Sequence, residues 1–262
     1  MKDLSRPPEY VRGHDLLRGR RVLLTAAAGT GIGFAAARRA IEEGATVMIS
    51  DIHERRLQDA ADRLADETGQ RPASALCNVT EQAEVDHLLD RASDELGGMD
   101  ILINNAGLGG TADLVDMTDE QWHLVLDVTL NGTFRMTRAA MQRMARSGGG
   151  VIVNNASVLG WRAQKGQAHY AAAKAGVMAL TRCAAVEGAG LGVRINAVAP
   201  SLAMHPFLAK VTSEALLSEL EAREAFGRAA ETWEVANVMI FLASEYSSYM
   251  TGEIVPVSSQ RA

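Results

Sequence analysis

With two cysteines in 262 residues, Cys77 and Cys183, the chain has no disulfide framework. Both lie in apolar segments, which reads as buried free thiols in a reducing cytoplasm. Aromatic residues are sparse, at 5%. No apolar run approaches the ~18 residues that span a bilayer, and the first residues lack a signal peptide's apolar stretch, so neither a membrane nor an exported location is expected. No basic block stands against the net charge of −6, which argues against a nucleic-acid partner. The six histidines show no ligand spacing, so no metal site is expected. What remains is ordinary globular composition, 47% hydrophobic and 22% charged, in a chain long enough for one large core.

Along the chain, short apolar runs alternate with longer helical patterns. Residues 1–19, with Pro7, Pro8 and Gly13, read as an irregular arm ahead of a single domain over 20–262. Strands are predicted at Val22–Thr25, Ala45–Ser50, Ala73–Cys77, Ile101–Asn104, Val151–Asn155, Val193–Val198 and Glu253–Val257. Helices are predicted at Ile32–Glu43, Glu54–Glu67 and near 81–96, 118–145, 169–188 and 232–243. Strands with so little polar alternation are buried on both faces, as in a parallel sheet between helix layers. The fold class is therefore α/β: one doubly wound, Rossmann-type domain with a mainly parallel seven-stranded sheet.

Such sheets bind ligands beyond the carboxyl ends of their strands, and the informative residues fall there. Tyr170-Ala-Ala-Ala-Lys174 places a phenol and an ammonium one helical turn apart, with Ser157 thirteen positions upstream. The ammonium would favour the phenolate and bring its pKa from about 10 toward neutrality, while the serine holds a substrate oxygen. That is acid/base equipment for interconverting an alcohol and a carbonyl. Thr25-Ala-Ala-Ala-Gly29-Thr30-Gly31-Ile32-Gly33 joins the first strand to the first helix. Its glycines permit a tight turn and close approach of backbone to a pyrophosphate. Asp51, 18 residues after Gly33, closes the second strand, where a carboxylate accepts from a ribose diol and repels a 2′-phosphate. NAD is thus expected over NADP, although Arg55 and Arg56 follow closely.

Together these residues resemble the short-chain dehydrogenase/reductase family over about Arg20 to Val257. The resemblance implies Tyr170 as acid/base, Ser157 as the group orienting the substrate oxygen, and Lys174 as the holder of the nicotinamide ribose. It also implies cofactor contacts at Asn78 and Val79 after the third strand, at Asn105-Ala106-Gly107 after the fourth, and at Pro200 and His205. Thr251-Gly252-Glu253 matches a C-terminal family segment, and family tetramers built on long helices suggest a homotetramer. A lid is implied near 201–226, and Trp161, Arg162 and Gln164 are expected to rim the substrate pocket. Arg162 or Lys165 would then meet an anionic handle such as a CoA phosphate. His169 is assigned to packing.

The sequence departs from the family at several points. The glycine stretch is one residue longer, with alanines where the first glycine is expected. Asn78 replaces an aspartate, Ser201 a glycine and His205 a threonine. Thr129 stands at the family's active-site asparagine; Asn131, two residues on, falls about 200° around a helix and is not assigned its role. Because the family uses the main-chain carbonyl there to hold a water, threonine preserves that group. The glycine loop, Asn154-to-Gln164 and Ala225-to-Ala230 resemble an actinobacterial subgroup acting on hydroxylated bicyclic CoA thioesters from steroid rings C and D. The expectation is an NAD(H)-dependent cytoplasmic oxidoreductase working on a CoA-linked carbocycle. The alternatives are an NADPH-dependent 3-oxoacyl (carrier-protein or CoA) reductase, against which Asp51 and the non-basic Thr30 speak, and a non-catalytic dinucleotide sensor.

Overall fold

Residue alternation in the central strands sets the architecture. In β1 (Arg21–Thr25), Val22 and Leu24 point to one layer and Leu23 to the other, all fully buried. Ile101 and Ile103 of β4 (Ile101–Asn104) share the first layer, and Leu102 the second. Each such side chain stabilises the fold by roughly 1.5–3 kcal/mol, so a strand buried on both faces needs helices on both. The computed structural model describes residues 3–205, 208 and 214–259. In it α1 (Ile32–Glu42), α2 (Glu54–Thr68) and α8 (Thr232–Ala243) cover one face of the sheet. Helices α3 (Gln82–Leu96), α5 (Gly132–Ser147) and α6 (Ala168–Ala189) cover the other.

The remaining strands are β2 (Thr46–Asp51), β3 (Ala73–Leu76), β5 (Gly150–Asn155), β6 (Val193–Pro200) and β9 (Ile254–Val257). The sheet order is β3-β2-β1-β4-β5-β6-β9, with every pairing parallel. The chain reverses its direction of travel between β1 and β4, which opens a crevice at their carboxyl ends. A small parallel pair, β7 (Ala203–Met204) with β8 (Ala230–Glu231), anchors the segment carrying α7 (Glu214–Arg223). Part of the expected lid, residues 206, 207 and 209–213, lies outside the described residues.

Two expectations need correction. The helix expected over 118–145 is α4 (Asp119–Leu126), a π-helical turn (Asp127–Asn131) and then α5. A π turn inserts a residue into the helical ladder without proline or a loop, so the chain stays helical through it and no breaker residue marks it. Cys183 is exposed, not buried; only Cys77 is buried, and burial pushes its thiol up to about 12. Residues 3–19 hold no helix or strand but are not loose. Leu17 is fully buried, and the buried Glu43 carboxylate accepts from the His14 and Leu16 amides at 2.7 and 3.0 Å.

Candidate active site

The crevice is organised by short polar ties between strand ends. Thr25 Oγ1, closing β1, accepts from the Asn105 and Ala106 amides at 3.0 and 3.1 Å. That fixes the start of the loop leaving β4. Asn104 and Asn154 are register partners on β4 and β5, and Asn104 Nδ2 donates to Asn154 Oδ1 at 2.9 Å. One residue on, Asn155 Nδ2 donates to Asn105 Oδ1 at 2.9 Å. Sequence reasoning passed over Thr25, Asn154 and Asn155, yet Asn-Asn-Ala occurs twice, at 104–106 and 154–156. On adjacent parallel strands that repeat makes an amide ladder.

Ser157 follows β5, is buried, and accepts from the Leu159 amide at 3.2 Å, which caps the short turn Val158–Gly160. Tyr170 and Lys174 share one face of α6 one turn apart, with Lys174 Nζ 5.5 Å from the Tyr170 ring centre. Nζ donates to the Asn155 carbonyl at 2.5 Å. Burial lowers the Lys174 ammonium to about 8, so it remains mostly protonated at pH 7. Burial raises the Tyr170 phenol, opposed by its hydrogen bond with Ser157. Among the protein's own groups, then, the expected lowering of Tyr170 by Lys174 is reversed: desolvation dominates, and the ammonium is directed at Asn155. His169 is buried, and its Nδ1 accepts from the Tyr170 amide at 2.9 Å, in keeping with packing.

The glycine loop fits a dinucleotide. Gly31 takes the cap position of α1 with no side-chain cap, so the first helix amides are open to an anion. A Cβ on Gly33 would stand 2.5 Å from both the Ala26 carbonyl and Asn105 Nδ2, which only glycine avoids. Gly29 and Thr30 form the turn before them, and Ile32 begins the helix. Asp51 Oδ2 accepts from the Ala28 amide at 3.2 Å, and burial raises its carboxyl, with Arg56 pulling the other way. Arg55 is turned to solvent, its side chain 94% exposed beside Asp59.

The other expected contacts are spread around the crevice. Asn78 Oδ1 accepts from the Thr80 amide and hydroxyl at 3.1 and 2.9 Å, so its oxygen is engaged locally. Val79 is buried, and a Cβ on Gly132 would lie 2.6 Å from its Cγ2. Gly107 lies against Lys174, where a Cβ would be 3.4 Å from Nζ. Pro200 ends β6, and the His205 ring faces Gly31, 3.8 Å from where a Cβ would be. Burial lowers the His205 imidazole, so a neutral ring faces the loop.

Trp161, Arg162 and Gln164 line a cleft of about 810 Å³ that Ser157 and Tyr170 do not line. Its floor includes Ala168 and Ala172 of α6, each about 200° around the helix from Tyr170. The expected rim residues thus open onto the side of α6 away from Tyr170. Lys165 pairs there with Asp113 at 3.0 Å. Among the described residues no cluster of metal-ligating side chains occurs, and no helix is long and apolar enough to cross a membrane.

A family model described as enoyl-(acyl carrier protein) reductase matches residues 26–259. The chain is 59% identical, over 98% of its length and 99% of the relative's, to a Mycobacterium tuberculosis protein. That protein is named (5R,7aS)-5-hydroxy-7a-methyl-1-oxo-2,3,5,6,7,7a-hexahydro-1H-indene-carboxyl-CoA reductase. A 3-oxoacyl-(acyl-carrier-protein) reductase of Thermotoga maritima is 38% identical over 92% of the chain and 97% of the relative. The crystal structure of a short chain dehydrogenase from Mycobacterium smegmatis superimposes with a TM-score of 0.88 at 56% identity, covering 99% of this chain and all of the other.

Proposed function

The chain belongs to the short-chain dehydrogenase/reductase family, and from that premise we propose that it interconverts a secondary alcohol and a ketone on a CoA-linked bicyclic acid with NAD(H). The observation that carries the reaction is the convergence of Ser157, Tyr170 and Lys174 at the β5–α6 side of the crevice, tied toward the glycine loop through Asn155, Asn105 and the Ala26 carbonyl. The family model's description names reduction of a carbon–carbon double bond. A serine hydroxyl hydrogen-bonded to a buried phenol suits a carbonyl oxygen better, since both groups can donate to the same atom. The substrate class is supported by the identity to the M. tuberculosis CoA thioester reductase, which far exceeds that to the carrier-protein reductase.

A nicotinamide dinucleotide, when held there, would supply the hydride for reduction or take it up in oxidation. Ser157 holds the substrate oxygen, and in reduction Tyr170 delivers its phenolic proton to that oxygen. The raised phenol pKa keeps the proton in place until then. In oxidation the same oxygen returns its proton to Tyr170. Lys174, cationic below about pH 8 and 5.5 Å from the Tyr170 ring centre, offsets part of the desolvation cost of the phenolate between these states. Asp51 would take the adenosine ribose diol and Asn78 the adenine, while Gly29 to Gly33 would carry the pyrophosphate. Asn105, Ala106, Gly107, Pro200 and His205 would border the remainder.

The preference for NAD rests on Asp51, already partly desolvated and next to the glycine loop, with Arg55 turned away. Arg56 favours the other reading, an NADPH-dependent 3-oxoacyl reductase, because its charge acts at Asp51. We assign Trp161, Arg162 and Gln164 to the thioester's distal part and the segment near 201–226 to a lid. We also propose a cytoplasmic homotetramer. The test is nicotinamide absorbance with NAD or NADP and two CoA thioesters, a hydroxylated bicyclic acid and a straight-chain 3-hydroxyacyl group. Rapid NAD reduction with the bicycle alone supports the reading, and turnover of the straight chain with NADP overturns both cofactor and substrate. Replacing Tyr170 by Phe should lower kcat by roughly 10²–10⁴-fold while dinucleotide binding persists; a fully active variant sinks the mechanism.

A further inference from the structure

We infer that Asn155 is a positioning residue for the dinucleotide: its side-chain amide props the floor of the glycine loop from the side of the site that holds Lys174. Asn155 ends β5 and bonds through both main chain and side chain. Its main-chain carbonyl takes the Lys174 ammonium at 2.5 Å, a charge-assisted bond that anchors the strand end. Its side-chain Nδ2 donates to Asn105 Oδ1 at 2.9 Å, and Asn105 Nδ2 donates in turn to the Ala26 carbonyl at 2.9 Å. The first turn of α1 rests on those last two groups. A Cβ on Gly33 would stand 2.5 Å from both the Ala26 oxygen and Asn105 Nδ2. Gly33 lies just inside the helix whose cap position, Gly31, offers no side chain to the first amides. A shift of this floor therefore shifts the amides that would face a pyrophosphate.

The sense of this chain of amides is fixed. A carbonyl can only accept, so Asn105 must present its nitrogen to Ala26 and its oxygen to Asn155. Asn155 must then donate, which leaves its own Oδ1 facing elsewhere. Among the described residues that oxygen is buried with no hydrogen-bond partner. Turning the amide over would set oxygen against oxygen and break the tie to Asn105. Burying an acceptor unpaired costs the fold free energy, so stability alone does not account for an asparagine at this position. A local rule broken without a gain in stability is expected where a site needs the group. The rung one residue earlier reaches different partners. Asn104 and Asn154 bond Thr137 of α5 and Thr181 of α6, so they fasten the opposite helix layer and leave the glycine loop to Asn155.

The inference rests on the glycine loop as the dinucleotide site, and the experiment separates the two. Calorimetric Kd values for NADH and NADPH, with urea midpoints, are compared for the natural chain, Asn155→Leu, Asn105→Ala and the double variant. Asn155→Leu should weaken the tighter dinucleotide by about 5- to 10-fold, the size of one hydrogen bond lost. Its urea midpoint should change little, because leucine removes the orphaned oxygen together with the tie. On the Asn105→Ala background, where the tie is already gone, the same substitution should alter Kd by less than about 2-fold. A natural Kd in Asn155→Leu, or an equal loss on both backgrounds, overturns the inference. A loss of affinity matched by a falling urea midpoint makes Asn155 a packing residue and overturns it too. A natural chain that binds neither NADH nor NADPH overturns the dinucleotide reading itself, and this inference falls with it. If Asn155→Leu does not fold, Asn155→Ala takes its place, and the ratio of its effects on the two backgrounds decides.

Discussion

At the scale of single residues, the lengthened glycine stretch shows what an alanine in a glycine's place costs. Ala26 adopts a φ of +52°, in the left-handed region that a Cβ disfavours by about 1–2 kcal/mol. The conformation persists because the Ala26 carbonyl accepts from Asn105 Nδ2 at 2.9 Å and the Ala27 amide donates to the Ser50 carbonyl at 3.1 Å. Ala26→Gly should therefore raise stability by about 1 kcal/mol in urea unfolding; a destabilised variant would show that the Cβ is held favourably. Lys174 is a second strained residue, electrostatically. Its pKa falls from 10.5 to about 8 on folding, so between these values the unfolded chain binds more protons and stability must rise with pH. Below about pH 8 the full penalty applies, on the order of 3 kcal/mol. The difference in unfolding free energy between the natural chain and Lys174→Met should shrink as pH rises from 8 toward 10. A pH-independent difference would place the ammonium in water.

Between the elements, the N-terminal arm is bound by a buried ion pair rather than by apolar contact alone. Arg39 and Glu43 of the α1 C-terminal turn pair at 2.6 Å, with Glu43 wholly inaccessible. Arg39 also donates to the Val11 and Arg12 carbonyls. Removing one partner leaves the other buried and uncompensated, which typically costs 3–5 kcal/mol. Glu43→Ala should lose about that much in urea unfolding and expose residues ahead of Leu17 to limited proteolysis. A variant that kept its stability and its resistance would mean the arm is held elsewhere. Nothing local marks Glu43 as buried: it ends an amphipathic helix with an i−4 arginine like any solvated acid, and the His14 and Leu16 amides that it binds lie about 30 residues away in sequence. The same limit explains what else escaped the sequence. Ile101–Asn104 and residues 232–243 have the predicted bounds because an apolar run and a helical apolar pattern are local signals. The π turn between α4 and α5 was illegible because it shifts the apolar phase by one residue within a single turn, too short a stretch for periodicity to register. Ser157, Tyr170 and Lys174 were legible because helical spacing alone unites two of them. The lateral shift of Trp161, Arg162 and Gln164 was not, since it depends on a short turn whose direction no periodicity encodes.

For the whole molecule, apolar side chains left in water occur on opposite faces of the sheet. On the α5–α6 side, Leu124, Phe134 and Val186 are exposed, Val186 at 79%. On the α8 side, Phe241, Tyr246 and Tyr249 are exposed, the last without any cover. A single apolar patch would suit a two-fold dimer; two on opposite layers would suit two different isologous contacts, and two perpendicular two-fold axes close at four chains. The tetramer reading thus predicts a light-scattering mass of four chains, and it predicts how the assembly fails. A charge in either face, Val186→Glu or Tyr249→Glu, should halve the mass, and the two together should give a monomer. Each single variant disrupts one isologous contact and leaves the other, so both should keep a shared dimeric intermediate mass while differing in which surface remains covered. A natural chain that scatters as a monomer, or a Tyr249→Glu variant that stays tetrameric, would leave the α8 face as plain surface and remove the second axis.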